Sequence, residues 1–124
     1  MYTLRTKRHF DAGHFLRDYD GKCANKHGHR WDFEVVIEGD ELDKLGMLVD
    51  FTIVKGAMKK VEDMFDHTFL NDLPAFIIQN PTAENIARVI YKYIASYFKL
   101  VELPGRLKEV TVWEAPESCV TYGE

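Results

Sequence analysis

The sequence predicts an α+β fold in which strands and helices are segregated in the order β-β-α-α-β-β, giving an antiparallel sheet with two helices on one face. Three observations predict it. Residues alternate with a period of two over 2–14 and again from His27 to about Gly39. Apolar residues then recur at spacings of three and four in two successive segments. Alternation returns after Pro104-Gly105.

In the first segment Tyr2, Leu4, Phe10, Ala12 and His14 share one face, and Thr3, Arg5, Lys7, His9 and Asp11 share the other. Residues 17–26 carry Asp, Gly and Asn without a period, the composition of a surface connection, so Cys23 is expected on a loop. From His27 onward His27, His29, Trp31, Phe33, Val35 and Ile37 point one way, while Arg30, Asp32, Glu34 and Glu38 mostly point the other. Gly39 to Gly46 reads as a polar turn.

The first helix is expected after Asp50, with Val54, Ala57, Met58, Val61, Met64 and Phe65 as its buried stripe, and it should stop near Asp66-His67. Thr68 to Gln79 looks irregular around Pro74. Asn80-Pro81-Thr82-Ala83-Glu84 then supplies a cap candidate, an early proline and an acidic first turn for a second helix bearing Ile86, Ile90, Tyr93, Ile94 and Tyr97. Val110, Val112 and Glu114 alternate against Thr111 and Trp113 in a third strand, and Cys119 to Tyr122 form a short fourth.

With 124 residues and an ordinary globular composition, the chain is expected to form one domain over 1–124. The N-terminus alternates and carries charge, without the apolar stretch of a signal peptide or membrane span, so a cytoplasmic location and no membrane partner are expected. Two cysteines in such a chain are expected as free thiols. A formal net charge of −4 argues against a nucleic-acid partner, whose affinity would come from a broad basic face. Lys22, Lys26 and Arg30 cluster locally and suit a small anionic ligand, although a solvated basic loop is the commoner explanation of three such charges.

The His27-Gly28-His29 step is the strongest local signal, because an i, i+2 pair on a strand lands on one face about 7 Å apart. His14 lies on the apolar face of the first strand at the corresponding end, so three imidazoles can converge on one zinc ion. Any one of these histidines alone would be read as an ordinary core or surface residue; the three together favour a metal site. His9 sits on the polar face and His67 lies far along the chain, and neither is assigned to the metal. Gly28 allows another segment to approach closely, or simply serves a turn. Cys23, four residues before His27, can either complete a closed structural site or stand free as a thiolate beside an open, catalytic one. Asp66-His67 can form an acid-imidazole relay or end a helix unremarkably. Glu114 continues the apolar face of its strand and needs either a polar partner or a solvated edge.

These residues occur within longer motifs: Phe10-Asp11-Ala12-Gly13-His14, Cys23-Ala24-Asn25-Lys26-His27-Gly28-His29, Gly46-Met47-Leu48-Val49-Asp50-Phe51, Phe65-Asp66-His67-Thr68-Phe69-Leu70-Asn71, Asn80-Pro81-Thr82-Ala83-Glu84-Asn85 and Val112-Trp113-Glu114. As an ordered set covering nearly the whole chain, they resemble the 6-pyruvoyltetrahydropterin and 6-carboxytetrahydropterin synthases. The resemblance implies the tunnelling fold and a homo-oligomer, usually a hexamer with active sites between subunits. It implies zinc on His14, His27 and His29, Cys23 as general base, and Asp66 with His67 as a proton relay from a neighbouring subunit. Glu114 would anchor the pterin ring, assisted by Thr82 and Glu84.

The three residues between Cys23 and His27 are similar to the bacterial carboxy-forming type, which implies conversion of 7,8-dihydroneopterin triphosphate to 6-carboxytetrahydropterin with release of acetaldehyde and triphosphate, in queuosine biosynthesis. A pyruvoyl-forming or dihydroneopterin-aldolase-like relative is the alternative. A noncatalytic domain with a structural zinc is the third. Ala115-Pro116 departs from the family pattern, where threonine usually follows the glutamate, leaving a second ring contact open.

Overall fold

The computed structural model describes residues 1–124. Its sheet has five strands, β1 (Tyr2–His14), β2 (His27–Gly39), β3 (Thr68–Phe69), β4 (Arg106–Ala115) and β5 (Ser118–Gly123), in the order β3-β1-β2-β4-β5. Two helices, α1 (Phe51–Phe65) and α2 (Ala83–Phe98), pack on it. The predicted α+β order stands, with one addition. The two-residue β3 lies within the stretch expected to be irregular and pairs parallel with β1, Ala12 opposite Thr68 and Gly13 opposite Phe69. It is too short to carry a period of its own, so pattern reading has nothing to detect.

β1 and β2 are antiparallel along their full length, in a register that sets His14 opposite His27, Ala12 opposite His29 and Phe10 opposite Trp31. One face of this pair carries the core: Phe10, Ala12, Trp31, Phe33, Val35 and Ile37 join Val110 and Val112 of β4 beneath both helices in a single cluster of 22 buried apolar residues. At about 25 cal/mol per Å² of apolar surface, this burial is the dominant force holding the two layers together. The other face carries Asp11, Arg30 and Lys7, whose ammonium lies 4.1 Å over the Trp113 ring.

Asp50 caps α1, its carboxylate accepting from the Thr52 amide and hydroxyl, each at 2.8 Å. Val54, Ala57, Met58, Val61 and Phe65 are buried as expected, whereas Met64 is 39% exposed, because it lies at the margin of the stripe. α2 is capped by Thr82, whose hydroxyl accepts from the Asn85 amide at 3.2 Å, so Pro81 precedes the helix. Glu38, expected on the polar face, is buried where the β2–β4 register shifts at Val36/Ile37. Arg106 and Lys108 pair with it there, as a buried carboxylate requires.

Candidate metal centre and active site

His14 ends β1, and the register brings it against His27 and His29 of β2 on the core face, with ring centroids 4.4 and 5.1 Å away and 4.8 Å between the latter two. Trp31 forms the floor, edge-on to His14 and His29 at 4.9 and 5.3 Å. The tautomers are set from behind. The Nδ1 of His14 lies 2.8 Å from the Pro81 carbonyl and that of His27 2.6 Å from the Asn25 carbonyl. A carbonyl only accepts, so each Nδ1 carries the proton and each Nε2 presents a lone pair. The Nε2 atoms of His14 and His29 are buried without any hydrogen-bond partner. Burial, the largest cause in each case, lowers the pKa of both rings below the ordinary histidine value and favours the neutral form that ligates metals.

Glu114, at the end of β4, places Oε1 3.3 Å from His14 Nε2 and 3.2 Å from His29 Nε2. Ligand atoms of His14, His27, His29 and Glu114 all lie within 4.8 Å of one another. Imidazole nitrogens, two of them without a partner, converging with a carboxylate are a donor set suited to a divalent transition metal. Cys23 is absent from that set. It sits on a short 3₁₀ turn (Lys22–Ala24), tied back by its carbonyl to the Leu16 amide at 2.7 Å. There it lines an open cleft of about 420 Å³ together with Lys22, His27, His29 and Glu114. Both cysteines are free, as expected.

Asp66 and His67 occupy a different place. His67 follows α1 in the left-handed region, φ +57°, with its amide donating to the Asp11 carbonyl at 2.6 Å. The Asp66 carboxylate accepts from the Asp11 amide and the His67 Nδ1, each at 2.8 Å. These two bonds, the backbone one being larger, lower the Asp66 pKa. The His67 ring is 81% exposed and borders a shallow pocket with Asp11, Ala12, Gly13, Gly28, His29 and Thr68. Above Gly28 the space is open, so no segment of this chain makes the close approach that its glycine permits. Thr82 follows Pro81, whose carbonyl meets His14, and is engaged as a helix cap, while Glu84 in the first turn is exposed.

A family model described as 6-pyruvoyl tetrahydropterin synthase matches residues 3–124. The chain belongs to this family. A Bacillus subtilis protein named 6-carboxy-5,6,7,8-tetrahydropterin synthase is 35% identical over 98% of this chain and 84% of its own length. A Haemophilus influenzae protein of the same name is 32% identical over the full length of both. Among solved structures, the Caenorhabditis elegans 6-pyruvoyl tetrahydropterin synthase superposes with TM-score 0.86 at 28% identity, covering 99% of this chain and 95% of that one. The Plasmodium vivax enzyme, at 20% identity and TM-score 0.77, shares the fold. The chain is thus an enzyme of the tetrahydropterin synthase type on a tunnelling fold, with a possible metal centre built from three histidines and a glutamate.

Sequence reasoning missed the carbonyls of Pro81 and Asn25, which fix the imidazoles, and the Asp11 peptide, which holds both Asp66 and His67. The motif blocks contain all three residues, but a backbone group leaves no signature in residue type.

Proposed function

We propose that this single-domain protein, residues 1–124, is a zinc-dependent lyase that converts 7,8-dihydroneopterin triphosphate to 6-carboxytetrahydropterin, releasing acetaldehyde and triphosphate, on the cytoplasmic route to queuosine. The observation that carries the reading is the cleft in which a free thiol, Cys23, stands beside three converging imidazoles, two with orphaned nitrogens, in a chain whose relatives bear the carboxy-forming name.

In this reading His14, His27 and His29 hold zinc, which when bound supplies Lewis acidity to the hydroxyls of the substrate side chain. The chain's own residues do the rest. Cys23 removes a proton from the side-chain carbon, and Lys22 on the same turn meets the triphosphate together with Lys26. Arg30, a third candidate, is held by Asp11 at 2.9 and 3.1 Å. Glu114, with Thr82 and Glu84, receives the N–H edge of the pterin, which a carboxylate accepts bidentately. Asp66 holds the His67 proton at Nδ1 and leaves Nε2 to exchange a proton with Cys23. Within one chain His67 and Cys23 line different pockets, which supports a homo-oligomer, a hexamer by family, in which one copy's His67 meets another's Cys23.

The test is incubation of zinc-loaded protein with 7,8-dihydroneopterin triphosphate, mass identification of the pterin, and an acetaldehyde assay. Carboxytetrahydropterin with stoichiometric acetaldehyde is expected. Pyruvoyltetrahydropterin without acetaldehyde would instead support the second reading, favoured by the likeness to the nematode structure. A structural Cys-His₃ site is not supported, since the fourth converging donor is Glu114 rather than Cys23.

A further inference from the structure

We propose that Glu114 is a displaceable fourth donor of the metal site, closing the coordination sphere at rest and withdrawing when an exogenous oxygen or anion arrives; this rests on the three-histidine metal reading. Four donors about 2.0 Å from a tetrahedral ion stand about 3.3 Å from one another. Glu114 Oε1 lies at 3.3 and 3.2 Å from the two buried Nε2 atoms, the length of such edges.

His14 Nδ1 is turned to the Pro81 carbonyl, which leaves Nε2 facing Glu114 Oε1, and neither the His14 nor the His29 Nε2 has a hydrogen-bond partner. A cation placed between these buried nitrogens and the half-exposed carboxylate oxygen would be attracted by both. The backbone supports the same reading. The β4–β5 register shifts between Trp113 and Ala115, leaving Glu114 as the bulged residue, and bulges re-aim a side chain at a strand end.

What distinguishes Glu114 from the histidines is freedom. His14 and His27 are each held by a carbonyl and His14 and His29 by Trp31, whereas the Glu114 carboxylate accepts no hydrogen bond, pairs with no lysine or arginine, and is 37% exposed. A donor so placed can leave without breaking any other interaction. The site therefore has one position that is closed by the protein until something displaces it.

The test compares wild type with Glu114→Gln and Glu114→Ala in zinc affinity, by chelator competition, and in azide titration of the cobalt-substituted proteins followed by visible absorption. Zinc Kd should rise by at least the roughly 10–100-fold that loss of a ligand's supporting partner costs. Azide should bind Glu114→Ala at lower concentration than wild type, because the fourth position is already open. Glu114→Asp, shorter by one methylene, should fall between them, and circular dichroism of the metal-free proteins checks that each variant is folded. Equal zinc affinity and superimposable azide titrations overturn the proposal while leaving the three-histidine site intact. Failure of wild type itself to bind zinc or cobalt overturns the metal reading beneath it.

Discussion

His14 at the end of β1 and His67 just past α1 make the most instructive contrast in the molecule. Toward the helices, His14 is 2% exposed in a cluster whose every member comes from the same chain. By contrast, His67 is 81% exposed beside Asp66, its amide donating to the Asp11 carbonyl. The first group is finished by folding alone; the second is pre-organised and unfinished. His67 adopts a left-handed conformation that costs about 1–2 kcal/mol, at the position just past the α1 C-cap where helices commonly turn.

The largest expected effect breaks the finished half. His14→Ala should abolish stoichiometric zinc retention and reduce turnover to background, measured by metal analysis and product formation. A His14→Ala protein that keeps one zinc per chain would remove the metal centre from this face. The next effect sharpens the unfinished half. Cys23→Ser and His67→Asn should each lower turnover by about 10²–10⁴-fold with zinc content unchanged, the range for losing a general acid or base. Asparagine is chosen because it tolerates the left-handed backbone. Mixed and reassembled, the two inactive proteins should regain activity that neither has alone. No regain would mean that one chain supplies both groups.

The smallest effect concerns stability. The Asp66 pKa is lowered in the fold, so its contribution is fully present above the unfolded value near 3.9 and is lost as pH falls through the lowered one. Asp66→Asn should therefore be less stable than wild type at pH 7, and urea midpoints should converge as pH drops below about 4. A gap that persists unchanged into acid would assign the effect to packing.

Much of this contrast was legible in the sequence. Alternation set His14, His27, His29 and Glu114 on the core face because a strand's period leaves no other choice, and the same rule put Asp11 and Arg30 on the far side. What stayed hidden depended on backbone. β3 is two residues long and exists through its pairing with β1. The Pro81 and Asn25 carbonyls act through groups every residue possesses. Met64 and Glu38 departed from their stripes where a helix margin and a register shift override the ideal period. The family blocks marked Asp66 and His67 as important but not that they line a different pocket from Cys23, since a local motif carries no distance between segments.

The step from Asp11 to His14 has a consequence for how such chains can vary in length. Because successive residues face opposite sides, inserting or deleting one residue between Phe10 and His14 would exchange what is presented to the two faces, turning His14 away from its cluster and Asp11 into the core. The connection before His27 is under no such restriction, since its ends are held by separate bonds and each added residue costs little loop-closure entropy. Descent with insertions should accumulate in the turn that carries Cys23 and spare the four positions after Phe10.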